Sequence, residues 1–275
     1  MNSQGSISVA ELARRIRRHC VIMTSKANTA HVGSCLSAAD ILATLYGKVL
    51  RLDPKQPNWP DRDRFILSKG HACAALYSVL AERGYFSSEW LETYCQNGAH
   101  LAGHVTHAGV PGVEVSTGSL GHGLPIGTGM ALAAKRDSKP HRIFVLLSDG
   151  ECDEGSMWEA ALFAPHHQLD NLVAIVDYNK LQSLGRVKEV IDLDPLAAKW
   201  HAFGWATREV DGHDLPALDA ALSNVPFEPH RPSCVIAHTV KGKGISFLED
   251  KLQSHYTPAR GEKLTQALAE LEVQS

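Results

Sequence analysis

Two short apolar runs, IFVLL at 143–147 and LVAIVD at 172–177, enclose a segment at 155–169 that reads as a helix. Each run is short and bounded by polar residues, as a buried strand is. Strands covered on both faces carry continuous apolar runs instead of alternation. Strand, helix and strand in that order form a βαβ unit, whose right-handed crossover brings both strand ends out on one edge of the sheet. The pattern resumes with helices near 193–203 and 215–224 and strands near 206–210 and 234–239. Strands alternating with helices predict an α/β fold, a parallel sheet with helices on both faces.

Asp149 and Gly150 follow the first apolar run directly, and Asn179 follows the second. Open α/β sheets bind ligands at the carboxyl edge of their strands, so Asp149 and Asn179 are expected to converge there. A carboxylate, an amide oxygen and a backbone carbonyl form a hard-oxygen set suited to Mg²⁺ or Ca²⁺, completed by water or phosphate oxygens. Gly150 lets the backbone approach a ligand, and the next helix can aim its first amides at an anion. Asp-Gly alone is an ordinary turn, and Asn179 alone an ordinary loop residue. Their placement across one βαβ unit favours a Mg²⁺–diphosphate anchor.

The rest of the chain frames that unit. Ser8 followed by Glu11 is a capping-box pattern for a helix over 8–26. Helical periodicity returns near 37–50, 72–83, 87–96 and 121–136, whereas 99–128 is rich in Gly and His and has no clean period. Loop systems that long inside a compact chain are usually functional. GHGLPIGTG lacks the preceding strand that a dinucleotide fingerprint needs. The spacing of His100, His104 and His107 could suit a metal, but acidic partners are missing; His100, His107, His122, His166 and His167 read as ordinary loop or core residues.

Six scattered cysteines suggest neither zinc nor disulfides. A formal charge of −3 exerts no pull toward nucleic acid or an anionic membrane. No stretch is apolar enough to span a bilayer, and ELARRIRRHC lacks the apolar core of a secretory signal. The expectation is a cytoplasmic chain whose residues 1–275 form one domain with appended N- and C-terminal helices.

The stretch from Asp149-Gly150-Glu151 to Asn179 resembles the thiamine-diphosphate motif, and its surroundings resemble transketolases. KANTAHVGSCLSAADIL, LSKGHACAALY, LAGHVTH, VSTGSLGHGLPIGTGMA and HTVKGKGISFLEDKLQSHY are similar to that family's motifs, in family order, from about residue 10 to 257. The resemblance implies the thiamine-diphosphate-binding fold. It implies that Asp149, Asn179 and the Leu181 carbonyl hold Mg²⁺, for which Ca²⁺ or Mn²⁺ can substitute. It also assigns Gly150, His71 and His255 to the diphosphate, and Gly118 and Leu120 to the aminopyrimidine. Asn179 serves the cofactor as well as the metal, and Glu154 matches an acidic residue buried at the dimer interface that links neighbouring cofactor sites.

His31, His104 and His255 would face the substrate and move its protons, a role suited to imidazoles, which titrate near pH ~6.5. A nearby diphosphate would make them hold protons more strongly. In that family the glutamate that activates the cofactor and the arginines that bind the substrate phosphate lie in a part this chain lacks. The resemblance therefore implies the N-terminal subunit of a split transketolase, working with a separate C-terminal subunit in an α₂β₂ assembly. Together they would move a two-carbon ketol unit from a ketose to an aldose. GHVTHAGVPG departs from the family pattern, where Pro-Glu is expected after the histidine. That leaves room for a non-standard sugar in a specialised pathway. The 2-oxoacid dehydrogenase type shares the metal motif but not the histidine set.

Overall fold

The computed structural model describes residues 7–273; the ends of the expected domain, 1–6 and 274–275, lie outside them. Helix α1 (Val9–Ala27) begins at Ser8, whose hydroxyl accepts from the Glu11 amide at 3.1 Å. Only half of the expected capping box forms. The Glu11 carboxylate turns instead to Arg14 at 2.8 Å and Arg15 at 2.7 Å, and these bonds lower its carboxyl to about 2.

The helix expected over 37–50 is broken into α2 (Val32–Ser37), α3 (Ala39–Thr44) and a wide π-type turn at Leu45–Val49. Strand β1 (Arg64–Leu67) follows, one that the sequence did not announce, and then α4 (Cys73–Glu82). The periodicity at 87–96 belongs to a 3₁₀ segment, Ser88–Thr93.

The remaining order is α5 (Gly123–Arg136), β2 (Ile143–Ser148), α6 (Gly155–His166), β3 (Leu172–Tyr178), α7 (Val187–Val190), α8 (Leu196–Ala202), β4 (Ala206–Asp211), α9 (Leu215–Ser223), β5 (Ser233–His238) and α10 (Glu262–Val273). Helix α6 stops short of 169, with Pro165 in its last turn and Gln168 at φ +52°. The five strands form one parallel sheet in the order β1-β2-β3-β5-β4.

Side chains of β2 divide between two cores. Phe144 and Leu146 join α1, α3, α4 and α9 on one face. Ile143, Val145 and Leu147 join α5, α6 and α8 on the other. Each such buried side chain contributes roughly 1.5–3 kcal/mol. The α/β arrangement read from the sequence is the one present.

Close approach of α5 to the sheet depends on glycine. A Cβ on Gly123 would lie 2.1 Å from Ser68 Oγ and 2.8 Å from its Cα. Gly123→Ala is expected to lower unfolding stability by about 1–3 kcal/mol despite the better helix propensity of Ala. Urea unfolding checks this; a more stable variant would contradict the packing described.

Candidate active site

Four strand ends reach one edge of the sheet, and each delivers a polar group. Ser68 and Lys69 follow β1, Asp149 follows β2, Asn179 and Leu181 follow β3, and Lys241 lies just beyond β5. The turn Gly70–Ala72 brings His71, the loop before α5 brings His104, Gly118 and Leu120, and the turn Leu252–His255 brings His255. His31 sits in front of α2 at φ +75°, a conformation uncommon for a residue with a side chain. Its amide donates to the His255 carbonyl at 2.7 Å. A cavity of about 220 Å³ is lined by all four histidines together with Gly118, Leu120, Asp149, Asn179, Leu181 and Lys241.

His31 is the hub of the imidazoles. Its ring centroid lies 4.8 Å from that of His255, 5.2 Å from His71 and 5.7 Å from His104. Burial, then the neighbouring His104 and Lys241, lowers His31 to about 4. Burial and Lys241 lower His255 to about 3. Burial and Lys69 hold His71 well below the ordinary range. The protein's own groups thus act against the expected proton retention: around neutral pH these three rings are neutral, each with one donor and one acceptor. Lys241 Nζ lies 3.1 Å from His255 Nδ1. An ammonium can only donate, so Nδ1 accepts and Nε2 of His255 carries the proton.

The three expected metal donors sit together. Asp149 Oδ1 accepts from Gly150 N at 2.8 Å and Oδ2 from Lys180 N at 2.7 Å. Asn179 Oδ1 accepts from Leu181 N at 3.1 Å. The Leu181 carbonyl accepts from Lys241 Nζ at 2.7 Å, so a cationic group already rests on the oxygen expected to face a metal. Asp149 is 2% exposed, and burial followed by the charge of Asp177 pushes its carboxyl up to about 6. Burial lowers Lys241 to about 8. A buried carboxylate with an amide and a backbone carbonyl oxygen nearby, beside a buried ammonium able to meet an anion, fits a metal–diphosphate pair.

Gly150 and Glu154 stand outside the cavity lining. Gly150 lies beneath Gln182, and Glu154 is exposed at the start of α6. The residue of that segment that is buried is Glu151, which accepts from Ser68 Oγ and, at 2.8 Å, from Gly121 N. Among the described residues no group of three or more His, Cys, Asp or Glu is placed to hold a metal, and His100 stacks instead on Trp90 at 4.0 Å. Five cysteines are buried, Cys95 is exposed and all six are free.

Sequence reasoning missed Lys241, Lys69 and Asp177. Lys69 and Asp177 are both fully buried and pair at 2.5 Å beneath the histidines. Asp177 also accepts from Ser37 Oγ at 2.6 Å and from Thr239 Oγ1. Both lysines fall inside segments already singled out, LSKGHA and HTVKGKG. The available signal was a cation in a loop expected to face a diphosphate.

Comparison with known proteins places this geometry. Residues 8–274 match the family model described as "Transketolase, thiamine diphosphate binding domain". The chain belongs to the transketolase family. It is 42% identical over 270 residues to the 6-deoxy-6-sulfo-D-fructose transketolase subunit SqwG of Clostridium sp. (strain MSTE9), covering 98% of each chain. It is 44% identical over 261 residues to an apulose-4-phosphate transketolase subunit of Actinobacillus succinogenes, covering 94% of each. Among solved transketolases, that of Campylobacter jejuni superposes with a TM-score of 0.91 at 34% identity, over 99% of this chain and 43% of that one. This transketolase-family chain therefore spans about two-fifths of that single-chain relative. No helix among its described residues is long and apolar enough to cross a membrane.

Proposed function

We propose that this chain is the cytoplasmic, cofactor-anchoring subunit of a split transketolase. It would bind thiamine diphosphate through Mg²⁺ and, with a separate C-terminal subunit, transfer a two-carbon ketol unit from a ketose to an aldose. The observation that carries the reading is the meeting of Asp149, Asn179, the Leu181 carbonyl, Lys241 and four imidazoles in one cavity. Full-length matches to proteins named as transketolase subunits support a partner chain. Ile126, Leu162 and Phe163 are exposed on α5 and α6, the helices that lead away from Leu120 and Glu154, and provide apolar surface for such a partner. An α₂β₂ arrangement would join two such pairs, with Glu154 at the junction.

Asp149, Asn179 and the Leu181 carbonyl would hold Mg²⁺, with Ca²⁺ or Mn²⁺ as substitutes. Lys241 would shift from the Leu181 carbonyl to the diphosphate, joined by His71, His255 and the backbone at Gly150. Gly118 and Leu120 would meet the aminopyrimidine. Bound thiamine diphosphate supplies a nucleophilic carbon and the electron sink for carbon–carbon cleavage. His31 and His104 would accept and return protons at the sugar hydroxyls, and the Nε2–H of His255 would donate to the sugar carbonyl.

Relatives named for sulfofructose and apulose 4-phosphate favour a second, narrower reading, in which the donor is a non-standard sugar of a specialised pathway. The family match favours either over a 2-oxoacid dehydrogenase. The test is turnover of ketose donors by the purified chain alone and by the chain with its co-purifying partner. Activity is expected only in the second case. Turnover by the chain alone would sink the split reading.

A further inference from the structure

Lys241 is the first residue past the sheet ladder of β5 whose side chain enters the cavity, and its ammonium must span from the Leu181 carbonyl to His255. What fixes its backbone is the turn after β4, the strand paired with β5. Gly212 N donates to the His238 carbonyl at 2.8 Å, and a Cβ on Gly212 would lie 2.4 Å from Thr239 Cγ2, so the turn is pressed against the end of β5. The next residue, His213, receives the Val240 amide on Nε2 at 2.9 Å. Nε2 is therefore the acceptor, and the ring proton is on Nδ1, which donates to Asp40 Oδ2 at 2.7 Å. Asp40 is anchored by both terminal guanidinium nitrogens of Arg17, at 3.0 and 2.5 Å. Arg17 and Asp40 are each 6% exposed. A continuous chain of hydrogen bonds thus runs from α1 through α3 and the turn after β4 to the residue before Lys241.

We propose that His213 is a positioning residue: by accepting the Val240 amide it fixes the backbone of Lys241, and so the reach of its ammonium toward an anionic cofactor. This rests on the cofactor reading above. His213 does not line the cavity and touches no group assigned to substrate, so its effect is on affinity and not on the chemical step. The ring tautomer makes the role specific. Asn at this position can still donate to Asp40 but does not reach Val240, whereas Gln carries an oxygen far enough out to accept its amide.

The test uses the assembly purified from native cells, titrated with thiamine diphosphate at fixed Mg²⁺, for wild type, Asp149→Ala, His213→Asn and His213→Gln. His213→Asn is expected to raise the cofactor Kd about tenfold, as loss of a buried amide's partner does. Amide exchange at Val240 should quicken, and kcat at saturating cofactor should stay near wild type. His213→Gln should bind within about threefold of wild type. Unchanged affinity in His213→Asn, or losses in both His213 variants that simply track their Tm, would overturn the positioning role. If wild type binds no cofactor, or Asp149→Ala binds as well as wild type, the cofactor reading itself fails, and that result is separate from failure at His213.

Discussion

Replacing Asp149 by Asn is expected to abolish the Mg²⁺ dependence of thiamine-diphosphate binding and to weaken that binding at least ~100-fold, with the fold intact. A hundredfold corresponds to about 2.7 kcal/mol. A single favourable pair of unit charges at 4 Å is worth roughly 4 kcal/mol at an effective dielectric of 20, so the loss of a carboxylate from a divalent cation suffices. Asn keeps the shape but turns an NH₂ group toward Gly150 N or Lys180 N, which now donate to the two carboxylate oxygens at 2.8 and 2.7 Å. Asp149→Ala should fail equally. Titration of the cofactor with and without Mg²⁺ reads the effect, and retained Mg²⁺ dependence would remove Asp149 from the metal site.

The largest effect on stability is expected at Asp177. Burial alone would raise its carboxyl, but Lys69, Ser37 and Thr239 hold it below the ordinary range. Asp177→Ala strands the fully buried Lys69 ammonium with only the Ser34 carbonyl, 3.2 Å away. Breaking a buried pair from one side costs about 3–5 kcal/mol, which for a chain of this size is a drop in Tm of roughly 10 °C. The double variant Asp177→Ala with Lys69→Met removes the stranded charge and should recover much of the loss. A full double-mutant cycle by urea unfolding measures the coupling. Additive losses would show that the pair does not act as a unit. Because Ser34 also bonds His71 Nε2 at 2.9 Å, the single variant should disturb the histidine cluster too.

The parts of this molecule that could be read from sequence are those in which local pattern and tertiary role coincide. Strands β2 and β3 are covered on both faces, so their apolar runs stand out, and Asp149 and Asn179 are marked by following them directly. β1 is four residues, RFIL, too short to display a period and preceded by charges, and it becomes a strand only because β2 pairs with it. The stretch 37–50 reads as one run of helical periodicity, and nothing local shows that it breaks between α2, α3 and the wide turn. Histidines were visible through their motifs. Lys69, Asp177 and Lys241 were not, because their meaning depends on β1, β3 and β5 ending at one edge of the sheet. Glu11 carries the same lesson on a smaller scale: its spacing from Ser8 fits a capping box, but two arginines one turn on compete for the carboxylate and win.

Whether this chain anchors the cofactor for a second chain is decided by purifying it from native cells and weighing the intact complex by mass spectrometry. The expected result is an assembly containing a second subunit, with mass for thiamine diphosphate and Mg²⁺ at each site. A chain that emerges alone and without cofactor from cells in which it is folded and abundant would contradict the anchoring role.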